Sequence, residues 1–102
     1  MSGKPIERNF EANLIKRIKE LLPESIIVKL DRKQGIPDRL ILYKNKWASL
    51  EFKRASDASH RPNQDWYVDK MNTMSFSRFV YPENKNEVLD DLITFMKGRT
   101  QI

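Results

Sequence analysis

A predicted β-hairpin constrains this sequence more than any other feature. Residues Arg39 to Tyr43 and Lys46 to Lys53 read as two strands, and the polar pair Lys44-Asn45 between them reads as their turn. A connection this short requires the two strands to be antiparallel neighbours. The chain must therefore build part of its core on a β-sheet.

The alternation of side chains along the second strand separates an acid and a base from the core. Leu50 and Phe52 face one side, towards the core, and Glu51 and Lys53 face the other. With a two-residue turn, the cross-strand neighbour of Glu51 is Asp38, whereas a three-residue turn would put Phe52 opposite Asp38. We expect the two-residue register, which puts two carboxylates and a lysine on one face.

Two carboxylates held close together repel each other unless a cation or a proton relieves them. Hard oxygen ligands with room for water suit Mg²⁺ or Mn²⁺. Such an ion polarises a phosphate oxygen and acidifies water, while the amine of Lys53 can orient that water or neutralise developing charge. The spacing of Asp38, Glu51 and Lys53 therefore favours phosphodiester hydrolysis.

Several stretches resemble the VRR-NUC family of the PD-(D/E)XK nuclease superfamily. They are Gly35 to Leu40, Leu50 to Arg54, the later Gln64 and the N-terminal Phe10 to Lys16. They are similar to the family's pattern of G-x-P-D-R-hydrophobic, then hydrophobic-E-hydrophobic-K, then a glutamine on the next helix, after a first helix that supplies another acid. The resemblance covers roughly residues 10–81.

The resemblance implies a metal-dependent nuclease and assigns roles to individual residues. It implies that Asp38, Glu51 and the Phe52 carbonyl bind the metal. It also implies that Lys53 assists the attacking water and that Glu11 and Gln64 support the site. One departure is the segment Asn72 to Ser77, where the family usually turns through glycine. The resemblance therefore leaves the position of the last strand open.

The acids and the lysine also have simpler structural interpretations. Asp38 follows Pro37 and could serve only as a turn residue at the entrance to a strand. Glu51 and Lys53 could form the solvated face of an exposed strand. These interpretations do not explain why two acids and a lysine should converge beside a basic surface.

The two supporting residues are each open to another interpretation. Glu11 lies one turn before Ile15 on the flank of an apolar stripe, but an acid in the first turn also suits the helix dipole, and Glu7 competes for the role. Gln64 heads an apolar helical face that continues to Met71. If it is buried it needs a partner, which could be the lysine, a phosphate or a backbone group.

Other residue types exclude several chemistries. His60 is the only histidine and there is no cysteine, so a zinc site and thiol chemistry are excluded. There is no Gly-rich phosphate loop and no nucleophilic serine motif. We expect His60 to be a loop residue near the substrate at most, and Trp47 and Trp66 to be core or interface anchors.

The excess of positive charge favours a polyanionic partner. Nineteen Lys and Arg residues against fourteen Asp and Glu give a net charge of +5. Basic residues bracket the predicted acids and are candidates for contacting phosphates, namely Lys29, Arg32, Lys33, Arg39, Arg54 and Arg61.

The order of predicted elements indicates an α/β fold. A first helix is followed by strands at 25–30, 39–43 and 46–53, a helix starting at Pro62, a strand at 78–81 and a helix at 86–96 that ends at Gly98. This order matches the αβββαβ core that the family resemblance implies, that of the PD-(D/E)XK restriction-endonuclease-like fold, with a mixed sheet flanked by helices and an added C-terminal helix. We expect a single nuclease-like domain over residues 1–102.

The resemblance to stand-alone VRR-NUC proteins and related resolvases implies a metal-dependent, structure-selective DNA endonuclease acting in recombination or repair, with a Holliday junction as the leading substrate. It also implies a homodimer, because a four-way junction needs two symmetric cuts. The segment Met74 to Phe79 and the last helix carry apolar residues beyond those needed for a core and are candidates for the dimer surface. A general or flap-type nuclease, a silent nucleic-acid-binding domain and a protein that binds an acidic partner are the alternatives. No signal or membrane segment is evident, so we expect a cytoplasmic location, in the host if the chain is viral.

Overall fold

A computed structural model describes the backbone of residues 6–98 and the side chains from residue 9 onwards, so the side chain of Glu7 lies outside the described part. The elements are α1 (Ile6–Leu21), β1 (Ile26–Lys29), β2 (Arg39–Tyr43), β3 (Lys46–Phe52), α2 (Gln64–Met74), β4 (Phe76–Val80) and α3 (Lys85–Lys97). The predicted order of elements is confirmed.

The four strands form one mixed sheet in the order β1-β2-β3-β4. The first three are antiparallel neighbours, and β4 runs parallel to β3. A parallel pair needs a crossover connection, which α2 supplies. The predicted α/β fold with a mixed sheet is therefore confirmed.

The last strand begins earlier than predicted, at Phe76 instead of Arg78. The hydroxyl of Ser75 donates to the carbonyl of Trp47 on β3, and the side-chain oxygen of Asn72 accepts the N–H of Ser77 at 3.0 Å. These polar residues end α2 and start β4 without the glycine turn that the family resemblance would suggest.

The two faces of the sheet carry different layers. On one face α1 and α3 cover the core, which includes the buried Leu50 and Phe52, as the alternation predicts. The ring of Phe52 packs edge-on against Phe10 of α1 at 5.5 Å. On the other face α2 packs over β3 and β4. Residues Asp38 and Glu51 belong to the face that α2 shares.

The start of α2 differs from the predicted start at Pro62. The helix begins at Gln64, because Asn63 adopts a left-handed conformation with φ of 73°. Gly35 also has a positive φ, of 89°, and a Cβ there would lie 2.8 Å from the Cβ of Asn63. The loops before β2 and before α2 therefore touch at a point where only glycine fits.

The structure bears on two expectations about apolar residues. Trp66 is 59% exposed and is no core anchor, so the interface role that the sequence also allows it stays a prediction, and Trp47 is half-buried. In the segment Met74 to Phe79, Phe76 is buried and only Met74 is highly exposed, while α3 directs Leu92 and Met96 into the core. Within residues 6–98, no helix has both the length and the hydropathy needed to cross a bilayer.

Candidate active site

The hairpin register brings the two predicted acids together. Tyr43 pairs with Lys46 across a two-residue turn in which Lys44 has φ of 57°. Extending this register by one residue beyond β2 places Asp38 across from Glu51. The expected two-residue register is therefore confirmed.

Asp38 is held by main-chain hydrogen bonds on both sides. Its carboxylate Oδ2 accepts the N–H of Phe52 at 2.9 Å, and its carbonyl accepts the N–H of Leu30 at 2.8 Å. Burial raises the pKa of Asp38, the Phe52 N–H opposes this shift, and the nearby negative charge of Glu11 adds to it. The protein thus keeps this carboxylate in an environment that favours its neutral form.

Glu51 lies at one end of a buried polar chain. Only 4% of Glu51 is exposed, and its Oε2 accepts a hydrogen bond from Nε2 of Gln64 at 2.7 Å. Oε1 of Gln64 in turn accepts from Nζ of Lys53 at 2.6 Å and from the N–H of Arg61 at 2.7 Å. Nζ of Lys53 lies 4.0 Å from Oε2 of Glu51. The interpretation of Glu51 and Lys53 as a solvated strand face is therefore wrong.

Gln64 is the centre of this arrangement because it is the first residue of α2 and points at the sheet. It shares a helix face with the half-buried Tyr67 and Met71 and the buried Val68, as its spacing predicts. Of the partners left open by the sequence, it contacts the lysine, and it also contacts Glu51 and a backbone N–H.

Glu11 and Arg39 form a separate ion pair on the other side of β2. Nε of Arg39 donates to Oε2 of Glu11 at 2.8 Å, and both side chains are about one-fifth exposed, at 23% and 20%. Arg39 is therefore engaged with an acid, whereas the sequence suggests a phosphate contact. Glu11 acts on the site through its charge, which raises the pKa of Asp38.

Two cavities of about 430 Å³ each meet at the acids. Both are lined by Asp38, Glu51, Arg61 and Gln64. Five of the six predicted phosphate-contacting residues line one or both cavities, namely Lys29, Arg32, Lys33, Arg54 and Arg61. The acids thus lie at the middle of a basic groove between the loops 30–38 and 53–63.

A solved structure described as a VRR_NUC domain has a similar fold. It superposes with a TM-score of 0.69 at 14% sequence identity, over 85% of this chain and 97% of that chain. This chain has the VRR_NUC fold. Comparisons of the sequence with family models and with curated proteins gave no match. At 14% identity the likeness shows the fold alone.

Sequence reasoning missed a short loop that completes the site in this VRR_NUC fold. The carbonyl of Ser59 accepts a second hydrogen bond from Nζ of Lys53 at 3.1 Å. The next residue, His60, has its Nδ1 2.6 Å from Oδ1 of Asp65 and stacks on Phe79 with 4.2 Å between ring centroids. The expected loop position of His60 is confirmed, but its anchoring contacts had no sequence signal.

Asp38 and Glu51 are the two carboxylates that line the candidate site. Among residues 9–98, no three or more His, Cys, Asp or Glu side chains come together in a way that could hold an ion. The predicted ligand set is smaller, with two carboxylates and one carbonyl. Phe52 lines the same cavity as Asp38 and Glu51, while its ring is buried in the opposite core, so its main chain is the part that faces the site.

Proposed function

We propose that this chain is a metal-dependent nuclease that hydrolyses phosphodiester bonds in DNA. The observation that carries the proposal is the buried chain of Glu51, Gln64 and Lys53 beside Asp38, at the middle of a basic groove. A purely structural role gives no reason to bury an acid and a lysine together at the floor of an open cavity, where each loses hydration.

The donor set fits Mg²⁺ or Mn²⁺. These ions take oxygen ligands and are commonly held by one or two carboxylates together with water and substrate phosphate oxygens. Asp38, Glu51 and the carbonyl of Phe52 would supply the protein ligands. A divalent cation bound there supplies Lewis-acid stabilisation of the phosphate and makes nearby water more acidic.

The chain's own residues would then orient the reaction. Lys53 is held by two acceptors, Gln64 and Ser59, so its amine occupies one position beside Glu51 without waiting for substrate. A preorganised amine of this kind can orient a water or neutralise charge that develops on the phosphate. The raised pKa of Asp38 reflects the burial and the negative charge of Glu11 that a cation would offset.

The groove on either side of the acids supports a nucleic-acid substrate. Basic side chains line both cavities, so a backbone that passes the acids would find positive charge before and after the scissile phosphate. Contacts of this kind read the shape of the backbone. We therefore propose a structure-selective endonuclease for branched DNA, with the four-way Holliday junction as its leading substrate.

One site cuts one strand, so paired cuts in a junction require two copies of the chain. A homodimer is thus part of the proposed resolvase function. A general or flap-type nuclease would use the same site without symmetric cutting. A silent binding domain would keep the basic groove but would not need Glu51 or Lys53.

The test is cleavage of end-labelled four-way junction, flap, linear duplex and single strand, each with Mg²⁺, Mn²⁺ or EDTA. Wild type is compared with Lys53→Met and Glu51→Gln, and with Lys97→Met as the matched control, because Lys97 is exposed in the last turn of α3. We expect metal-dependent paired cuts in the junction that only the first two variants lose, by at least about 100-fold.

Different outcomes separate the alternatives. Equal cutting of all substrates would retain the chemistry and refute junction selectivity. Binding of DNA without cutting by wild type, in every metal, would refute the nuclease. Metal binding is measured separately by thermal unfolding: at tenfold excess over its dissociation constant, a bound ion should stabilise wild type by about 1.4 kcal/mol and Asp38→Asn by much less.

A further inference from the structure

Half of one sheet face is not covered by a helix in the described part of the chain. On the face that carries the two acids, α2 packs over β3 and β4. The half made by β1 and β2 carries two apolar pairs across the strands, Ile26 with Leu42 and Val28 with Leu40. Ile26, Val28 and Leu42 are 60%, 38% and 36% exposed, and Leu40 is half-buried. These four residues form an apolar strip on the sheet.

The apolar strip starts directly beside the acids. Leu40 lies two residues after Asp38 on the same face of β2. Val28 lies two residues before Leu30, which lines a cavity together with Asp38. From Asp38 to Leu42 the strip runs about 14 Å along the sheet, at about 3.4 Å per residue. The basic groove therefore continues into an apolar surface at the acids.

The two flanks of α2 differ in charge. The side-chain oxygen of Asn72 accepts the N–H of Ser77 on β4 at 3.0 Å, which fixes the flank that faces β4. By helical spacing that flank also carries both acids of the helix, Asp65 and Asp69. The other flank borders the apolar strip, and its exposed or half-buried residues follow i, i+3, i+7 spacing, namely Tyr67, Lys70 and Met74. The acids of α2 thus face away from the strip, and its lysine borders it.

We propose that the apolar strip binds unpaired bases of the DNA strand that continues past the acids. This proposal rests on the proposed nuclease function, because it assigns the strip to the same substrate. The bases lie on Val28, Leu40 and Leu42, and the ring of Tyr67 offers a surface on which one of them stacks. Lys70 lies at the border of the strip, where it contacts a phosphate of the same strand.

The change from a basic to an apolar surface selects an unpaired strand. A duplex turns its phosphates outwards, so a duplex laid over the strip would lose phosphate hydration against side chains that offer no hydrogen bond. An unpaired strand can turn its bases onto the strip, which removes apolar surface from water on both sides. Phosphates on the paired side find Arg54 and Arg61 in the cavity beside loop 53–63. The site therefore suits a phosphate at the boundary between paired and unpaired DNA.

Charge and continuity favour DNA over a protein as the occupant. Contiguous exposed apolar patches usually mark a binding surface. This patch leads away from the acids, has Lys70 at its border, and belongs to a chain with a net charge of +5. An occupant that is both anionic and apolar-faced fits these features, and an unpaired strand has both properties.

The test is fluorescence anisotropy of dye-labelled DNA in EDTA, which measures binding without cleavage. A blunt duplex is compared with the same duplex carrying a single-stranded tail, and with one extended by the same number of base pairs, which controls for added charge. We expect wild type to bind the tailed duplex about tenfold more tightly than the paired extension. The strip has room for about two or three bases, so the gain should stop rising with tail length beyond that.

Leu42→Gln should weaken binding of the tailed duplex about fivefold to tenfold and leave binding of the blunt duplex unchanged. Leu89→Gln is the matched control, because Leu89 lines a groove between α1 and α3 on the opposite face of the sheet. Val28→Thr keeps the volume and the branching of the side chain and should weaken tail binding about threefold. Circular dichroism verifies that each variant folds.

A second measurement uses wild type and so does not depend on the folding of a variant at the strip. The fluorescent base 2-aminopurine is placed at each tail position in turn, and its emission falls where it stacks. We expect quenching on binding only within about the first three unpaired positions. Tyr67→Leu should remove the quenching at one of them.

Several results would overturn the proposal. They are equal affinity of wild type for the tailed duplex and the paired extension, tail binding that Leu42→Gln leaves unchanged, and quenching that is uniform along the tail. Protection of Leu42 from hydroxyl-radical labelling in the absence of DNA would show that protein covers the strip, which also overturns it. Because no measurement here requires cutting, failure leaves the nuclease proposal intact, and strip-dependent tail binding stands even if the chain cuts nothing.

Discussion

Replacing Gln64 with leucine tests whether one buried amide holds the candidate site together. Gln64 is 6% exposed and makes hydrogen bonds to Glu51, to Lys53 and to the N–H of Arg61, at 2.7, 2.6 and 2.7 Å. Leucine has a similar volume but no hydrogen-bonding atom. The substitution therefore removes three hydrogen bonds and leaves the packing of α2 on the sheet largely unchanged.

The expected loss follows from the burial of the partners. A hydrogen bond to a charged group contributes about 1.5–3 kcal/mol, and a neutral one contributes about 1 kcal/mol. Glu51 is 4% exposed, so water from the cavity that it lines can replace the lost donor only in part, whereas Lys53 keeps the carbonyl of Ser59 as an acceptor. Part of the loss is offset because leucine buries more apolar surface. We expect the free energy of unfolding to fall by about 2–4 kcal/mol, which lowers Tm by roughly 10–25 °C in a domain of this size.

The assay is urea unfolding of wild type and Gln64→Leu, with Gln34→Leu as control, since Gln34 is exposed and the same change there should cost less than about 0.5 kcal/mol. Repeating the substitution in a Glu51→Leu background should reduce its cost by about 1–3 kcal/mol, because the two residues act as one unit. A cost below about 1 kcal/mol, or equal costs in both backgrounds, would refute the reasoning.

Three further predictions concern the neighbours of this network. Because folding raises the pKa of Asp38, the ionised carboxylate lowers the free energy of unfolding above that pKa, and the protonated carboxyl does not. Asp38→Asn should therefore be more stable than wild type at neutral pH, and urea unfolding should show the difference vanishing near pH 3. A difference that does not change with pH would contradict this. Gly35→Ala should lower the free energy of unfolding by about 1–3 kcal/mol, since the added Cβ would lie 2.8 Å from the Cβ of Asn63. Gly98→Ala should lower it less, because the nearest contact there is the flexible amine of Lys46 at 3.2 Å. Equal losses of stability in thermal unfolding would exclude the clash at Gly35. His60→Ala should slow DNA cleavage about tenfold with a small change in Tm, and an unchanged rate would show that this residue does not anchor the loop.

Local patterns were sufficient for the elements and for the core face. The alternation along β3 correctly predicted that Leu50 and Phe52 are buried. The two-residue turn correctly predicted the register that places Asp38 opposite Glu51. Both follow from interactions between residues close in the chain. Boundaries were less accurate: β1 is two residues shorter than expected and β4 begins two residues earlier, because pairing with neighbouring strands decides where a strand starts and stops.

Contacts between distant segments could not be predicted in the same way. The pairing of Arg39 with Glu11 crosses 28 residues, and the close approach of Gly35 to Asn63 joins two loops with no shared pattern. The family resemblance indicated Glu11 and the stretch that begins at Gly35 as candidates for function, and charge indicated Arg39. Which partner each one meets depends on how helices and loops dock on the finished sheet.

By itself, the sequence determined an αβββαβ chain with two acids and a lysine on one face of a hairpin, since strand alternation and turn length act locally. Only the tertiary structure decided that Glu51 is buried, that Gln64 links it to Lys53, and that Ile26 and Val28 stay exposed on an edge. The reason is physical: burial and long-range hydrogen bonds depend on which layer covers which face, and that depends on the packing of the whole chain.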